Sequence, residues 1–391
     1  MNIPYGRQDV NKKDIDAVIE ILKSDYITQG PAVKKFELNV SQYTGSKFAV
    51  AVNSATSALH IACLALDLKP EDEIWTSPIS FVATSNCALY CGAKIDFVDI
   101  DLTTYNMSIV SLKEKLEFAD KKNRLPKIVI PVHLAGQSCD MSEIYDLSLK
   151  YGFKIIEDAS HAIGGKYLDL PIGSCKYSDI TIFSFHPVKI ITTGEGGMAL
   201  TNDENLYNKM NRLRSHGITR DPMEMNSVPD GPWYYQQLEL GFNYRMTDFQ
   251  AALGSSQIKR LDEFITTRHS LSKNYYKLLS DLPIKLPHEA PKCYSAMHLY
   301  IIRVPKHSHE FNRDVVFERL RTNGIMANVH YIPIYRQPYY SRFKFDFSMF
   351  PNSEQYYSEA ISIPLFTTLT KDEQSFIAKV LSKPEGHQSL F

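Results

Sequence analysis

A lysine, an aspartate and a set of hydroxyl-bearing and glycine residues are spaced along this chain so that they could do chemistry together. Lys189 ends the hexapeptide that begins at Ser184, three glycines follow within residues 194–197, and Asp158 ends an apolar run upstream. A lysine can form a Schiff base, an acid can hold a pyridinium nitrogen, and hydroxyls and glycines can take a phosphate. These groups predict a site for pyridoxal 5'-phosphate (PLP) built around Lys189.

Asp158 ends a predicted strand over residues 154–158. Its carboxylate is therefore expected at the carboxyl edge of a sheet, where ligands bind in open α/β folds. A partly buried aspartate needs a cationic partner, and a protonated pyridine nitrogen would be one. The alternative is a turn residue or a helix cap at the end of a strand, and Asp158 alone does not choose between these roles.

Further residues are candidates for contacts with the same cofactor, namely Thr56, Ser57, Phe81, His161 and Ser184. His161 is near enough to Asp158 in sequence to reach the ring, and Phe81 would stack on its face. Thr56 and Ser57 lie at a strand-to-helix junction, where unpaired N–H groups and the helix dipole favour an anion. Ser184 would add another hydroxyl. Each also has an ordinary alternative, as a core residue or a helix cap.

Composition excludes several other classes of protein. The formal net charge of -1 over 391 residues gives no basic excess for nucleic acid. No apolar stretch approaches the ~20 residues that would span a bilayer, and the N-terminus has no apolar signal core, which predicts a cytoplasmic protein without a membrane partner. The six cysteines are scattered, without the spacing of a metal site or a disulfide framework, so no metal is expected.

Short β-rich runs alternate with helical stretches between about residues 47 and 158. This alternation predicts βαβ units and a mostly parallel sheet with helices on both faces. The apolar run at 128–132 is typical of a strand buried on both sides. Two more strands, at 179–185 and 198–201, are expected to flank the lysine loop.

The C-terminal half is expected to form a second unit. Prolines break residues 219–235 into an exposed, mobile loop, and residues 246–279 have the long amphipathic periodicity of a helix between domains. The remaining predictions are a strand at 298–304, a helix at 312–323, a terminal helix after Lys371 and a frayed tail at 383–391. The fold class predicted is α/β, with a large PLP-binding domain at 1–250, N-terminal segment included, and a linking helix with a smaller α+β domain at 251–391.

A set of sequence blocks carries a resemblance to a known family. The blocks are 53–59, 77–81, 157–162, 184–189, 194–197, 214–217 and 240–248, with 26–31 and 363–364 at the ends. Together they resemble the DegT/DnrJ/EryC1/StrS sugar aminotransferases, which are fold-type I PLP enzymes. Two departures from the broad pattern, Ala55 for a frequent glycine and His161 for a frequent glutamine, look like variants of the nucleotide-sugar 4-aminotransferase branch.

The resemblance implies a role for each candidate at the cofactor. Lys189 would be the Schiff-base lysine, Asp158 the partner of the pyridinium nitrogen, His161 a contact to the ring oxygen and Phe81 the stacking aromatic. The phosphate would rest on a set of hydroxyls, those of Thr56, Ser57 and Ser184. Asn243 would reach the phosphate of a neighbouring subunit, which implies a homodimer with shared active sites.

Residues 77–86, 191–193 and 329–335 are most similar to the branch that serves pseudaminic acid biosynthesis. The implied reaction moves an amine from L-glutamate to the cofactor and then to a UDP-linked 4-keto-6-deoxy-N-acetylhexosamine, which becomes the 4-amino sugar. Lys189 would serve as nucleophile, base and acid. Candidates for the sugar-nucleotide side of the site are Tyr26, Thr28, Gln29, His330 and Tyr331.

Three alternatives stay open at this point. The chain could aminate another nucleotide-linked keto sugar, either a 3-keto or a dTDP-linked one. A sugar dehydratase of the same scaffold would carry histidine in place of the Schiff-base lysine, so Lys189 argues against it. A non-catalytic PLP-binding regulator would be expected to lose Lys189, Asp158 or the phosphate-binding hydroxyls, and all of these are present.

Overall fold

The computed structural model describes residues 2–306, 308–309 and 311–382, so the predicted frayed tail at 383–391 lies outside the described residues. The helices are α1 (Lys12–Leu22), α2 (Pro31–Thr44), α3 (Ala55–Ala65), α4 (Ala83–Tyr90), α5 (Ile109–Asp120), α6 (Met141–Tyr151), α7 (Glu204–Leu213), α8 (Asp248–Gln257), α9 (Leu261–Leu279), α10 (Arg313–Thr322), α11 (Pro351–Glu359) and α12 (Lys371–Ser382). The strands are β1 (Ile3–Pro4), β2 (Phe48–Val52), β3 (Glu73–Thr76), β4 (Lys94–Phe97), β5 (Ile128–Ile130), β6 (Lys154–Asp158), β7 (Lys166–Tyr167), β8 (Leu170–Pro171), β9 (Ile180–Ser184), β10 (Gly197–Thr201), β11 (Ile218–Thr219), β12 (Gln236–Gln237), β13 (Cys293–Tyr294), β14 (Tyr300–Arg303), β15 (Ile325–Met326) and β16 (Ala360–Ile363).

A seven-stranded sheet with the order β2-β10-β9-β6-β5-β3-β4 forms the centre of the larger part of the molecule. Neighbouring strands from β9 to β4 run parallel, whereas β10 runs antiparallel to both β9 and β2. The predicted α/β class, with a mostly parallel mixed sheet flanked by helices, is confirmed.

Both faces of this sheet are covered because side chains alternate along each strand. Ile128 and Ile130 of β5 belong to the cluster beneath α3, α4 and α7, whereas Val129 packs on the opposite face with α5 and α6. Helices α2 and α8 cover that second face near β2 and β10. The uninterrupted apolar runs predicted as strands are therefore buried on both sides, as such runs require.

A smaller unit is built on the antiparallel pair β14–β16 and the parallel pair β1–β15. Its core joins α9, α10 and α12, and it also includes Ile3 from the N-terminus. A segment from the C-terminal half, with Ile334, Tyr335 and Tyr340, packs instead into the cluster of the large sheet. The division of the chain at residue 250 stays a prediction. Ile3 packs in the smaller unit and Ile334 packs against the large sheet, so each part of the chain contributes residues to the other core.

Some predicted elements differ from the observed ones. The amphipathic stretch at 246–279 is two helices, α8 and α9, because a 3-10 turn at Ile258–Arg260 separates them. Arg260 leaves the helical pattern there and bonds Asp14 at 2.7 Å. Helix α4 begins at Ala83, so Phe81 lies two residues before it. Among the described residues, no helix is long and apolar enough to cross a membrane.

Candidate active site

A cleft of about 1110 Å³ opens beside the carboxyl ends of the parallel strands. Its walls come from strand ends, helix starts and loops of both parts of the molecule. Most of the predicted site residues line it, namely Thr56, Ser57, Phe81, Asp158, His161, Ser184, Lys189, His330 and Tyr331. Predicted site residues up to 275 positions apart in the chain, Thr56 and Tyr331, are thus brought to one cavity.

Asp158 ends β6 and is only 5% exposed. The Thr84 hydroxyl donates to its Oδ2 at 2.6 Å, and the Ser160 hydroxyl donates to its Oδ1 at 2.6 Å. Within the part of the chain that the structure describes, no basic side chain forms an ion pair with this carboxylate. The Ser160 N–H also donates to Oδ1 at 3.2 Å. A buried carboxylate that is held by uncharged donors fits a ligand that brings its own cation, such as a pyridinium nitrogen.

Lys189 lies in the loop after β9, where its N–H donates to His186 O at 2.9 Å. Burial lowers the pKa of Lys189 to about 8, and the negative charge of Asp158 opposes this change. A lysine with this pKa carries a substantial neutral fraction near pH 7 to 8. The side chain is therefore suited to act as a nucleophile and as a proton acceptor.

The start of α3, where the sequence predicts an anion site, lines the cleft. Ser54 caps the helix, because its Oγ accepts from Ser57 N at 3.1 Å, and the other N–H groups of a first turn have no partner inside the helix. Gly197 begins β10 so close by that an added Cβ would lie 2.4 Å from Ala55 N. Gly197 also pairs with Ser184, which brings the Ser184 hydroxyl to the same place.

His161 makes two contacts that define its ring orientation. The Ala135 N–H donates to its Nδ1 at 3.3 Å, so in the neutral ring the proton is on Nε2, which lies 3.1 Å from the Tyr331 hydroxyl. Burial, together with the charges of Lys189 and His330, lowers the pKa of His161 well below its usual value. The imidazole is therefore uncharged at neutral pH.

His330 is also buried, and its Nδ1 lies 2.8 Å from the Ser362 hydroxyl. Burial first, and then the charge of Lys189, lowers the pKa of His330 to about 4. Beside it, Tyr331 and Phe81 have ring centroids 6.2 Å apart. This side of the cleft offers neutral hydrogen-bonding groups and aromatic faces.

The other predicted residues lie outside the lining of this cleft. Asn243 is exposed, as are the three candidates from the N-terminal loop, Tyr26, Thr28 and Gln29. That loop is held in place by Asp248, which accepts from Gly30 N at 2.8 Å and from Ala32 N at 2.9 Å. The roles of these four residues stay predictions.

Sequence reasoning missed the hydroxyls that hold Asp158. Ser160 had a local signal, since a serine two residues after an aspartate commonly bonds back to it. Thr84 had none, because it is 74 positions away on α4. Tyr5, which also lines the cleft, lies just after β1, and no site role was predicted for residues before Tyr26.

The fold and the cleft define a PLP-dependent aminotransferase. The chain belongs to the DegT/DnrJ/EryC1/StrS aminotransferase family, whose sequence model matches residues 8–382. The predicted family, cofactor and enzyme class are thereby confirmed. The described residues contain no group of three or more His, Cys, Asp or Glu side chains that could hold a metal.

Curated relatives match almost the whole chain. The UDP-4-amino-4,6-dideoxy-N-acetyl-beta-L-altrosamine transaminase of Campylobacter jejuni is 37% identical over 389 residues, which are 97% of this chain and 96% of the relative. The spore coat polysaccharide biosynthesis protein SpsC of Bacillus subtilis is 37% identical over 374 residues, 95% and 94% of the two chains. Among solved structures, Helicobacter pylori PseC, described as an aminotransferase of pseudoaminic acid biosynthesis, has a TM-score of 0.88 at 30% identity and covers 97% of this chain and 98% of its own.

Proposed function

We propose that this sugar aminotransferase is a cytoplasmic enzyme that converts a UDP-linked 4-keto-6-deoxy-N-acetylhexosamine into its 4-amino sugar, with L-glutamate as the amino donor, in pseudaminic acid biosynthesis. The Campylobacter and Helicobacter proteins support the sugar class. SpsC is as similar in sequence as the Campylobacter protein, so a different nucleotide-linked sugar is the competing proposal.

The observation that carries the chemistry is that Lys189 lines the same cleft as Asp158, a buried carboxylate that forms no ion pair among the described residues. When bound, PLP supplies an aldehyde that condenses with amines and a ring that accepts electrons from the neighbouring carbon. Asp158 would hold the ring nitrogen, His161 the ring oxygen, and the start of α3 with Ser184 the phosphate. These residues fit the cofactor in charge and in hydrogen-bonding type.

Lys189 would move the protons. Its neutral amine would take the proton from the α-carbon of glutamate, and its ammonium form would return a proton to the sugar carbon that bears the new amine. The pKa of about 8 suits both roles, because neither form is scarce near neutral pH. Since one side chain would deliver the proton, the amine would be formed with a single stereochemistry.

The charges of the cleft support the proposal that the enzyme is a homodimer. Among the described residues that line it, Lys189 is the only lysine and there is no arginine. The carboxylates of glutamate and the pyrophosphate of a UDP-sugar both need cations or several N–H donors. A partner subunit that completes the site would supply them, and the exposed Asn243 would in turn reach the phosphate in the partner's cleft.

The sugar assignment is tested by incubating the enzyme with glutamate and a panel of 4-keto and 3-keto sugars in UDP-linked and dTDP-linked forms. NMR of the products locates the new amine. We expect amination at carbon 4 of the UDP-linked 6-deoxy-N-acetyl sugar. Amination at carbon 3, or reaction with dTDP sugars alone, would contradict the assignment and leave the aminotransferase class intact.

Sharing of active sites is tested by mixing two inactive variants, Lys189→Arg and Asn243→Asp. The second places a negative charge where the phosphate of the neighbouring subunit is expected. In a hybrid dimer with shared sites, one site would combine Lys189 of one subunit with Asn243 of the other, so we expect activity to return on mixing. A mixture that stays as inactive as its components would contradict the proposed role of Asn243.

A further inference from the structure

Arg268 is a buried arginine without an acidic partner among the described residues. It comes from α9, is 2% exposed, and its Nη1 donates to three carbonyl oxygens, Met297 O at 3.2 Å, His298 O at 3.2 Å and Leu365 O at 3.0 Å. Burial lowers the pKa of Arg268 to about 10, which still leaves it charged at neutral pH. A buried charge without an acidic partner is unfavourable, so the presence of Arg268 at this position calls for a physical reason.

Two of the carbonyls that Arg268 holds, those of Met297 and His298, belong to a loop that packs against the turn beside His161. In that contact, His298 N donates to Ala135 O at 2.9 Å and Ala296 N donates to Gly136 O at 2.9 Å. The approach is close, since a Cβ on Gly136 would lie 2.9 Å from Met297 N and 3.1 Å from His161 O. Ala135, whose N–H donates to His161 Nδ1, is thus held from behind by this loop.

The His298 side chain reinforces the same contact. Its ring centroid lies 4.4 Å from that of His161, and the ring is 4% exposed. Its Nδ1 is buried and has no hydrogen-bond partner in the described part of the chain. An unpaired buried nitrogen indicates that packing against His161, rather than a hydrogen bond of its own, is what this ring provides.

The groups that face His161 are mostly cationic or neutral. They are Lys189, His298, His330 and the Tyr331 hydroxyl, with Arg268 behind His298 and Asp158 as the nearby acid. Burial first, and then His161, Lys189, Arg268 and His330, lower the pKa of His298 well below its usual value. Addition of a second proton to the His161 or His298 ring is therefore opposed by burial and by several neighbouring positive charges.

We propose that Arg268 and His298 are positioning residues that hold the His161 imidazole against Ala135 in one uncharged tautomer, with its Nε2–H directed into the cleft. The inference rests on the contact between His161 and the cofactor ring oxygen that is part of the proposed function. Arg268 acts through the loop at 296–299 and through its charge, and His298 acts through ring packing. Neither side chain lines the cleft.

The experiment measures the pH midpoint of the visible absorbance change of bound PLP in the purified holoenzyme. A nearby cation and an N–H donor to the ring oxygen both oppose protonation of the cofactor, so removing them raises the midpoint. We expect Arg268→Met to raise it by about half a unit, roughly a threefold change in proton affinity, and Arg268→Lys to restore it. We expect His298→Ala to raise it similarly, while His298→Phe, which refills the space, stays near the wild-type value.

His269→Phe is the matched control, because His269 Nε2 lies 2.7 Å from Ser295 O and so ties α9 to the same loop without facing His161. We expect its midpoint to be unchanged. The proposal is overturned if folded Arg268→Met or His298→Ala titrates like the wild type, or if His269→Phe shifts as much as they do. Where Arg268→Met does not fold, the His298 pair decides. The readout does not depend on the sugar, so an error in the substrate assignment leaves it unaffected.

Discussion

Glu157 and Asp158 are consecutive acids of β6 with opposite surroundings. Glu157 lies on one face of the sheet, where His133 Nε2 is 2.7 Å from its Oε2 and the Thr181 hydroxyl donates to its Oε1 at 3.0 Å. Asp158 lies on the other face, where hydroxyls hold it and the Lys189 amine is the nearby base. Both residues are 5% exposed, so burial does not distinguish them.

The difference lies in how completely each carboxylate is paired. Burial alone would raise the pKa of Glu157, but hydrogen bonds from His133, Ser178 and Thr181 and the charge of His133 lower it below its usual value. A buried network with all its bonds made stabilises one arrangement of the core. Among the described residues, no basic side chain lies within hydrogen-bonding distance of the Asp158 carboxylate, and this incompleteness marks the face where a ligand is expected.

The most severe test removes the base that only the Asp158 face has. We expect Lys189→Arg to fold but to lose transamination by about 10³-fold or more, because a guanidinium stays protonated and cannot act as nucleophile or base. Turnover is measured with glutamate and a keto sugar, and borohydride reduction with peptide mapping checks that the wild-type cofactor is attached at Lys189. Lys115→Arg is the control, since that half-buried lysine donates to Phe97 O at 2.7 Å and pairs with Asp96 at 2.6 Å, away from the cleft. Measurable turnover in Lys189→Arg would show that its assigned role is wrong.

Neutralising each acid in turn should separate catalysis from stability. We expect Asp158→Asn to reduce turnover by about 10²-fold with little change in unfolding free energy, because it removes the charge that would hold the ring nitrogen. We expect Glu157→Gln to lower the unfolding free energy by about 1–3 kcal/mol and to keep its turnover, because it disrupts a complete network. Urea unfolding and steady-state rates measure the two effects. Equal losses of activity in both variants would contradict the distinction.

The pH dependence of cofactor attachment sharpens the same comparison. The neutral Lys189 amine is the reactive form, so the attachment rate of the apoenzyme should rise with pH through a midpoint near pH 8 and level off above it. Because the Asp158 charge raises the pKa of Lys189 against the effect of burial, Asp158→Asn should move this midpoint to lower pH. Glu157→Gln should leave it in place. Stopped-flow absorbance measures the rates, and an upward shift in Asp158→Asn would have the wrong sign.

The smallest effects are expected from the hydroxyls on the two faces. Thr84→Val removes one hydrogen bond to Asp158, which should weaken PLP binding by about fivefold, or about 1 kcal/mol. Thr181→Val removes one bond to Glu157, and we expect it to lower stability by a similar amount while PLP affinity stays the same. Equilibrium titration with PLP and urea unfolding compare the pair. Weaker PLP binding in both variants would mean that the two faces are not independent.

Local pattern predicted the central sheet because its strands are continuous apolar runs between helical stretches, as at Ile128–Ile130. It missed α1, α2, α7 and α11. Helix α2 shows why, since its Glu37 is buried and accepts from Ala51 N at 2.9 Å, a contact that no helical periodicity signals. The predicted helix over 246–279 was divided by a tertiary bond from Arg260 to Asp14.

The sequence by itself determined which chemistry the protein can do, because that depends on residue types and their local order. Lys189 in its loop, Asp158 at a strand end and the hydroxyls at the start of α3 predicted a PLP site, and the resemblance carried by the sequence blocks predicted the aminotransferase class. Only the tertiary structure decided which side chains these groups contact. Thr84 meets Asp158 across 74 positions and His161 meets Tyr331 across 170, and such contacts follow from packing between elements, which no local pattern contains.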